Sequence, residues 1–176
     1  AKAINAAGLT GALSMTADAG ASNTLKTITS GSGDDSVTVK DTDIAYTVDL
    51  GDGDNTLTVT GLAAGSNLVM GAGSDTVNLN SAAAVAIATG AGNDTVIVGN
   101  VQTDAIILMG DGTADELRFA NAVDLSANVN YAATGVEQVT LGATGTTKIS
   151  AAAFAQDNAF KLVGTDTSYV LHVLNT

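Results

Sequence analysis

Apolar residues recur at every second position in short runs along most of this chain. Val37 and Val39, Leu57 and Val59, Val77 and Leu79, Val96 and Val98, and Leu117 and Phe119 form five such pairs. That is the period of a strand buried on one face. Upstream of each pair lies a second column, Ile28, Val48, Leu68, Ile87 and Ile107, which is uniformly aliphatic. Ser30, Leu50, Met70, Thr89 and Met109 share its parity and are expected to point the same way, while Thr29, Asp49, Val69, Ala88 and Leu108 face outward. Two strands and two corners thus recur about every twenty residues, which predicts one coil of a solenoid per repeat.

The corner between the two strands repeats as well. Its five copies are Gly31-Ser32-Gly33-Asp34-Asp35, Gly51-Asp52-Gly53-Asp54-Asn55, Gly71-Ala72-Gly73-Ser74-Asp75, Gly90-Ala91-Gly92-Asn93-Asp94 and Gly110-Asp111-Gly112-Thr113-Ala114-Asp115. A Gly-x-Gly turn able to take positive φ precedes a carboxylate or amide and then a β-branched or aliphatic strand start. Stacking such corners makes a ladder of oxygen ligands. The other corner of each coil, at 40–43, 60–65, 80–83 and 99–104, shares no ligand pattern, so Asp43 and Asp104 read as surface turn residues.

The flanks carry weaker versions of the same plan. Residues 1–30 read as a degenerate N-terminal coil, 31–119 as the repeats, and 120–176 as further β coils or a cap. Strands are expected at 136–141, 147–150, 160–163 and 169–173, with a short helical turn after Ser150 over 151–156. A cap is what an open solenoid end requires.

Composition narrows the class. Cys and Pro are absent, aromatics make up 3 %, and the 45 % hydrophobic content is mostly Ala, Val, Leu and Ile, which suits a thin solenoid interior. At 176 residues the chain reads as one domain or as a slice of a longer repeat protein. No run reaches the roughly 18 apolar residues of a membrane-spanning helix. The formal charge is −12, and between Gly31 and Phe119 thirteen acidic residues face only Lys40 and Arg118. This field opposes compaction unless cations neutralise it, and it argues against a nucleic-acid partner.

Coil stacking favours calcium over magnesium. Neighbouring strands lie about 4.8 Å apart, so an ion midway between coils is about 2.4 Å from each plane, within the roughly 2.3–2.6 Å calcium–oxygen range. Five corners leave four gaps, hence up to four ions. Gly90-Ala91-Gly92-Asn93-Asp94-Thr95-Val96 resembles the G-x-G-x-D-x-U core of the calcium-binding nonapeptide repeat of RTX proteins, and the likeness recurs in phase from 31 to about 119. The resemblance implies a right-handed parallel β-roll with calcium along one edge, and one-step export into calcium-rich surroundings. The ligands it implies are Gly31, Gly33, Asp34, Asp35, Gly51, Asp52, Gly53, Asp54, Asn55, Gly71, Gly73, Asp75, Gly90, Gly92, Asp94, Gly110, Asp111, Gly112 and Asp115. The leading Gly of the nonapeptide is replaced in all five blocks, Asn55 stands at an Asp position, and the fifth block has an extra residue before Asp115.

The single calcium edge, the Ala/Thr/Val-rich turns and the Gly135-Val136-Glu137-Gln138-Val139 segment look like surface-layer proteins of Gram-negative bacteria that carry such repeats. That likeness implies an extracellular, self-associating lattice subunit, with cell-envelope polysaccharide reached through parts outside this chain. Two other classes stay open. One is an adhesin, or an ice- or glycan-binding module, although Thr38, Thr58 and Thr140 do not make one long rank. The other is the calcium-roll appendage of a secreted hydrolase. An enzyme within this chain is not expected: His172 is the sole His, and there is no Cys, no G-x-S-x-G elbow and no phosphate loop. The acid pairs recur in coils rather than in one cleft. Asp52-Gly53-Asp54 lacks an EF-hand's terminal Glu, the position falling on Ala63.

Overall fold

The two strand columns become two parallel sheets facing one another. The computed structural model describes residues 2–18, 24–40, 42–81, 83–100, 104–125, 132–142, 145–154, 159–164 and 169–174. The first sheet stacks β1 (Lys2–Asn5), β3 (Leu25–Thr29), β5 (Thr47–Asp49), β7 (Ser66–Ala72), β9 (Val85–Ala91), β11 (Ile106–Leu108) and β13 (Ala132–Thr134) in that order. The second stacks β2 (Ser14–Ala17), β4 (Ser36–Lys40), β6 (Thr56–Gly61), β8 (Thr76–Leu79), β10 (Thr95–Val98), β12 (Glu116–Phe119), β14 (Gln138–Leu141) and β16 (Lys161–Gly164). The chain alternates between the sheets and pairs only with the coil before and after, so the fold is an all-β parallel solenoid.

Register places like on like. Ile28, Val48, Leu68, Ile87, Ile107 and Ala133 are successive partners in the first sheet. Val37, Leu57, Val77, Val96, Leu117 and Val139 are successive partners in the second. Every one of them is buried, as are Leu50, Met70 and Met109 at the same parity. Each fully buried Val, Leu or Ile contributes about 1.5–3 kcal/mol. Small branched residues suffice because no core side chain has to reach beyond the facing sheet. Leu108 faces outward at 45 % exposure, as its parity requires.

The flanks extend the same stack. Among the described residues of 1–30 are the two strands of one coil, β1 and β2, and the first strand of the next, β3. In the tail, β14 and β16 add to the second sheet, while β15 (Gly145–Ser150) pairs in parallel with β17 (Tyr169–Leu174) as a separate two-stranded sheet. The expected turn after Ser150 is a 3-10 helix over Ala151–Phe154, and residues 155 and 156 lie outside the described residues. Among the described residues there is no α-helix, and no helix long and apolar enough to cross a membrane.

On the outer face of the second sheet, Thr16, Thr38 and Thr58 sit side by side, but Asn78, Ile97 and Arg118 separate them from Thr140. The adjacent row is less interrupted. Ser14, Ser36, Thr56, Thr76 and Thr95 form an unbroken line of hydroxyls before Glu116.

Candidate metal site

Each Gly-x-Gly corner joins a strand of the first sheet to the next strand of the second, so all corners align on one edge. Glycine is required there for two reasons. Gly90 has a φ of 107°, and a Cβ on it would fall inside the carbonyl oxygen of Gly71 on the preceding coil. Gly31 shows the second reason alone: its φ is not in the left-handed region, yet a Cβ would still collide with the Leu9 carbonyl. Positive φ is therefore not common to all five corners; close approach of a neighbouring coil's backbone is.

The carboxylates of these corners separate into two columns. Asp34, Asp52, Asp54 and Asp111 lie on the exposed outer side. There Asp34 Oδ1 accepts the Asp54 N–H at 2.9 Å, and Asp54 Oδ1 accepts the Ser74 N–H at 2.7 Å. Asp35, Asn55, Asp75, Asp94 and Asp115 point inward and are at most 2 % exposed. The strand that follows each of them starts with an outward residue, so the preceding position must turn in.

The inner column forms a continuous ladder across the coils. Leu13 N–H donates to Asp35 Oδ1 at 2.6 Å, Asp35 N–H to Asn55 Oδ1 at 2.9 Å, and Asn55 N–H to Asp75 Oδ1 at 2.8 Å. Asp75 N–H donates to Asp94 Oδ1 at 2.9 Å, and Asp94 N–H to Asp115 Oδ1 at 2.8 Å. A last rung, Asp115 N–H to Glu137 Oε2 at 2.8 Å, extends the ladder one coil beyond the glycine corners. Glu137 replaces the short Asp with a longer arm reaching back from a coil that has no Gly-x-Gly turn.

The second oxygens of these side chains are not treated alike. Asp35 Oδ2 accepts the Ser30 hydroxyl, and Asn55 Nδ2 donates to the carbonyls of Gly51 at 3.1 Å, Gly53 at 2.9 Å and Met70 at 3.2 Å. Oδ2 of Asp75, Asp94 and Asp115 is buried and has no hydrogen-bond partner among the described residues. A buried carboxylate oxygen without a donor costs several kcal/mol unless a proton or a cation meets it. At Asn55, the equivalent place one coil earlier, the neighbouring groups are the Gly51, Gly53 and Met70 carbonyls, an all-oxygen set that would suit a hard cation such as calcium. Among the described residues no three acidic or His side chains converge, so backbone carbonyls would supply most of the ligands. An open groove of about 600 Å³ passes over these corners between Asp54 and Asp111, lined by the outer corner residues.

Burial pushes the Asp75 carboxyl up to about 6; the Asn55 N–H and, less, the Asn55 side-chain amide partly offset this, and the neighbouring Asp94 and Asp54 charges add to it. Asp115 is likewise raised to about 6, first by burial, against the Asp94 N–H and with the Asp94 and Glu137 charges. A carboxyl raised on folding keeps its proton in the native state after the unfolded chain has released it. Between about pH 4 and 6 stability must then fall as pH rises. The cation-free protein should accordingly melt higher at pH 5 than at pH 7.5, as read by circular dichroism after exhaustive removal of calcium; the opposite order would mean these carboxyls are not buried in the native chain.

The opposite edge is closed by neutral groups. Tyr46 N–H donates to Ser66 Oγ at 3.0 Å, Leu62 N–H to Ser81 Oγ at 3.2 Å, and Asn100 Nδ2 to the Asn80 carbonyl at 2.9 Å. Asp43 is exposed there, and Asp104 has a φ of 54° in its turn. Sequence reasoning missed Ser30 and Glu137 as partners of the ladder. Ser30's signal was its polarity in an inward column otherwise dominated by Leu and Met; Glu137's was its place before the Gln138-Val139 strand start. Comparison with family models, curated proteins and solved structures gave no match.

Proposed function

We propose that this chain is a calcium-dependent structural segment of a bacterial surface layer, displayed outside the cell and assembling with copies of itself. The observation that carries the reading is the in-register column of buried Asp75, Asp94 and Asp115, each with one oxygen lacking a donor, on the edge of the glycine corners. Calcium bound there supplies positive charge between coils. Asp75, Asp94 and Asp115 would hold it with carbonyls of the adjacent glycine corners, giving the right-handed, calcium-loaded roll that the RTX resemblance implies. The exposed acids Asp34, Asp52, Asp54 and Asp111 keep that edge of one copy from another until cations screen it. A chain of stacked two-strand coils offers long, repeating faces rather than a deep catalytic cleft, so no reaction is assigned to it.

The row of hydroxyls from Ser14 to Thr95 favours a second reading, an extracellular binding module that presents this face to a sugar or another hydrogen-bonding surface. Electron microscopy and light scattering across a calcium titration separate the two. Ordered arrays in calcium but not in magnesium are expected for the lattice. A monomer at every calcium level, retained on immobilised envelope polysaccharide, would replace the lattice with the binding module.

A further inference from the structure

The two halves of the inner ladder differ in how they are neutralised. At Asn55 the amide nitrogen lies within hydrogen-bond distance of three carbonyl oxygens, Gly51 and Gly53 of its own coil and Met70 of the next. That is a positive pole held by oxygens from two coils. The same side chain still accepts the Asp35 N–H through Oδ1, as the aspartates accept theirs, so it keeps its rung of the ladder. One coil earlier the Ser30 hydroxyl donates to Asp35 Oδ2, so that rung also has a neutral donor. From Asp75 onward the corresponding oxygen has none. Repeat register sets Gly71 and Gly73 around Asp75, Gly90 and Gly92 around Asp94, and Gly110 and Gly112 around Asp115 in the places that Gly51 and Gly53 take around Asn55.

Resting on the calcium reading above, we infer that Asn55 is a built-in substitute for a cation. The edge therefore takes three ions, at Asp75, Asp94 and Asp115, and its N-terminal part closes without any. The count differs in placement as well as number from four ions in the four gaps between glycine corners. The gaps after Asp35 and Asn55 are filled by the protein's own donors, and the gap after Asp115 is completed on its far side by Glu137. Asn and Asp are isosteric, so exchanging them changes the sign of the pole without changing the rung. A carboxylate at 55 faces the same carbonyls with a negative oxygen and needs a cation; an amide at 75 reproduces the neutral closure.

The test is calcium stoichiometry by equilibrium dialysis and calorimetry on the full chain, with melting curves in calcium and in chelator. The wild type should bind three calcium ions, Asn55→Asp four, and Asp75→Asn two. Asp75→Asn should also melt higher than the wild type in chelator, because its amide supplies the missing donor; this readout holds even if Asn55→Asp folds poorly. A wild type that binds three ions while Asn55→Asp still binds three, or one that binds four or more, overturns the substitution and leaves the calcium reading standing. Asp75→Asn that melts below the wild type in chelator does the same. A wild type that binds no calcium overturns both.

Discussion

Removing calcium should unfold residues 31–119 or lower their melting temperature by tens of degrees. Each ion that binds only the folded chain stabilises it by about 2.7 kcal/mol at a hundredfold excess over Kd, so three ions amount to about 8 kcal/mol. A domain of this size has a total stability of only about 5–15 kcal/mol. The charge distribution adds to the effect, since the proposed ligands lie on the stretch that holds thirteen of the eighteen acidic residues. Unlike a globular core, a solenoid coil contacts only its two neighbours, so opening the rungs at Asp75, Asp94 and Asp115 exposes consecutive coils together. Far-UV dichroism and melting curves recorded in calcium and in chelator decide the matter. Superimposable curves would remove calcium from the account of this fold.

Much of this architecture was legible because a solenoid writes its cross-section into every repeat. The inward columns at Ile28, Val48 and Leu68 and at Val37, Leu57 and Val77 need only a period of two inside each strand and about twenty between them, and the structure places them as that spacing predicts. The division of the corner acids into an inner and an outer column was not legible to the same degree. Asp34 and Asp35 are adjacent and chemically alike; which of them turns inward depends on where β4 starts, and a sequence locates a strand end only loosely.

The differing closure of the rungs was harder still, because Ser30 acts five residues before Asp35 and Asn55 acts on Met70 of the following coil. Glu137 was hidden by chemistry rather than distance. Its coil lacks the glycine corner by which the other rungs are recognised, and a longer side chain makes up the difference. The pairing of β15 with β17 was also out of reach, since the tail departs from the repeat spacing there.

Substituting the glycine columns should do more damage than removing any one carboxylate. Gly90→Ala places a Cβ inside the Gly71 carbonyl oxygen, at a φ of 107° that L side chains rarely adopt. The neighbour has little freedom to yield. Gly71 and Gly90 are register partners within the β7–β9 ladder, and the Gly90 carbonyl accepts the Asp111 N–H at 2.9 Å on the other side. Relief would require widening the stack where backbone hydrogen bonds set its spacing at about 4.8 Å. The expected cost exceeds about 4 kcal/mol, and the variant should fail to fold or melt far below the wild type even in calcium. Gly65→Ala on the opposite edge is the control. Its φ of 84° is also positive, but a Cβ there meets nothing within 4 Å, so only the backbone strain of about 1–3 kcal/mol applies. Chemical denaturation of both variants in saturating calcium isolates the contribution of coil stacking, because the two share the conformational penalty and differ in the collision. Equal destabilisation would mean that the Gly-x-Gly corners are kept for their backbone angles alone, and that coils at the ligand edge are not packed closely enough to share an ion.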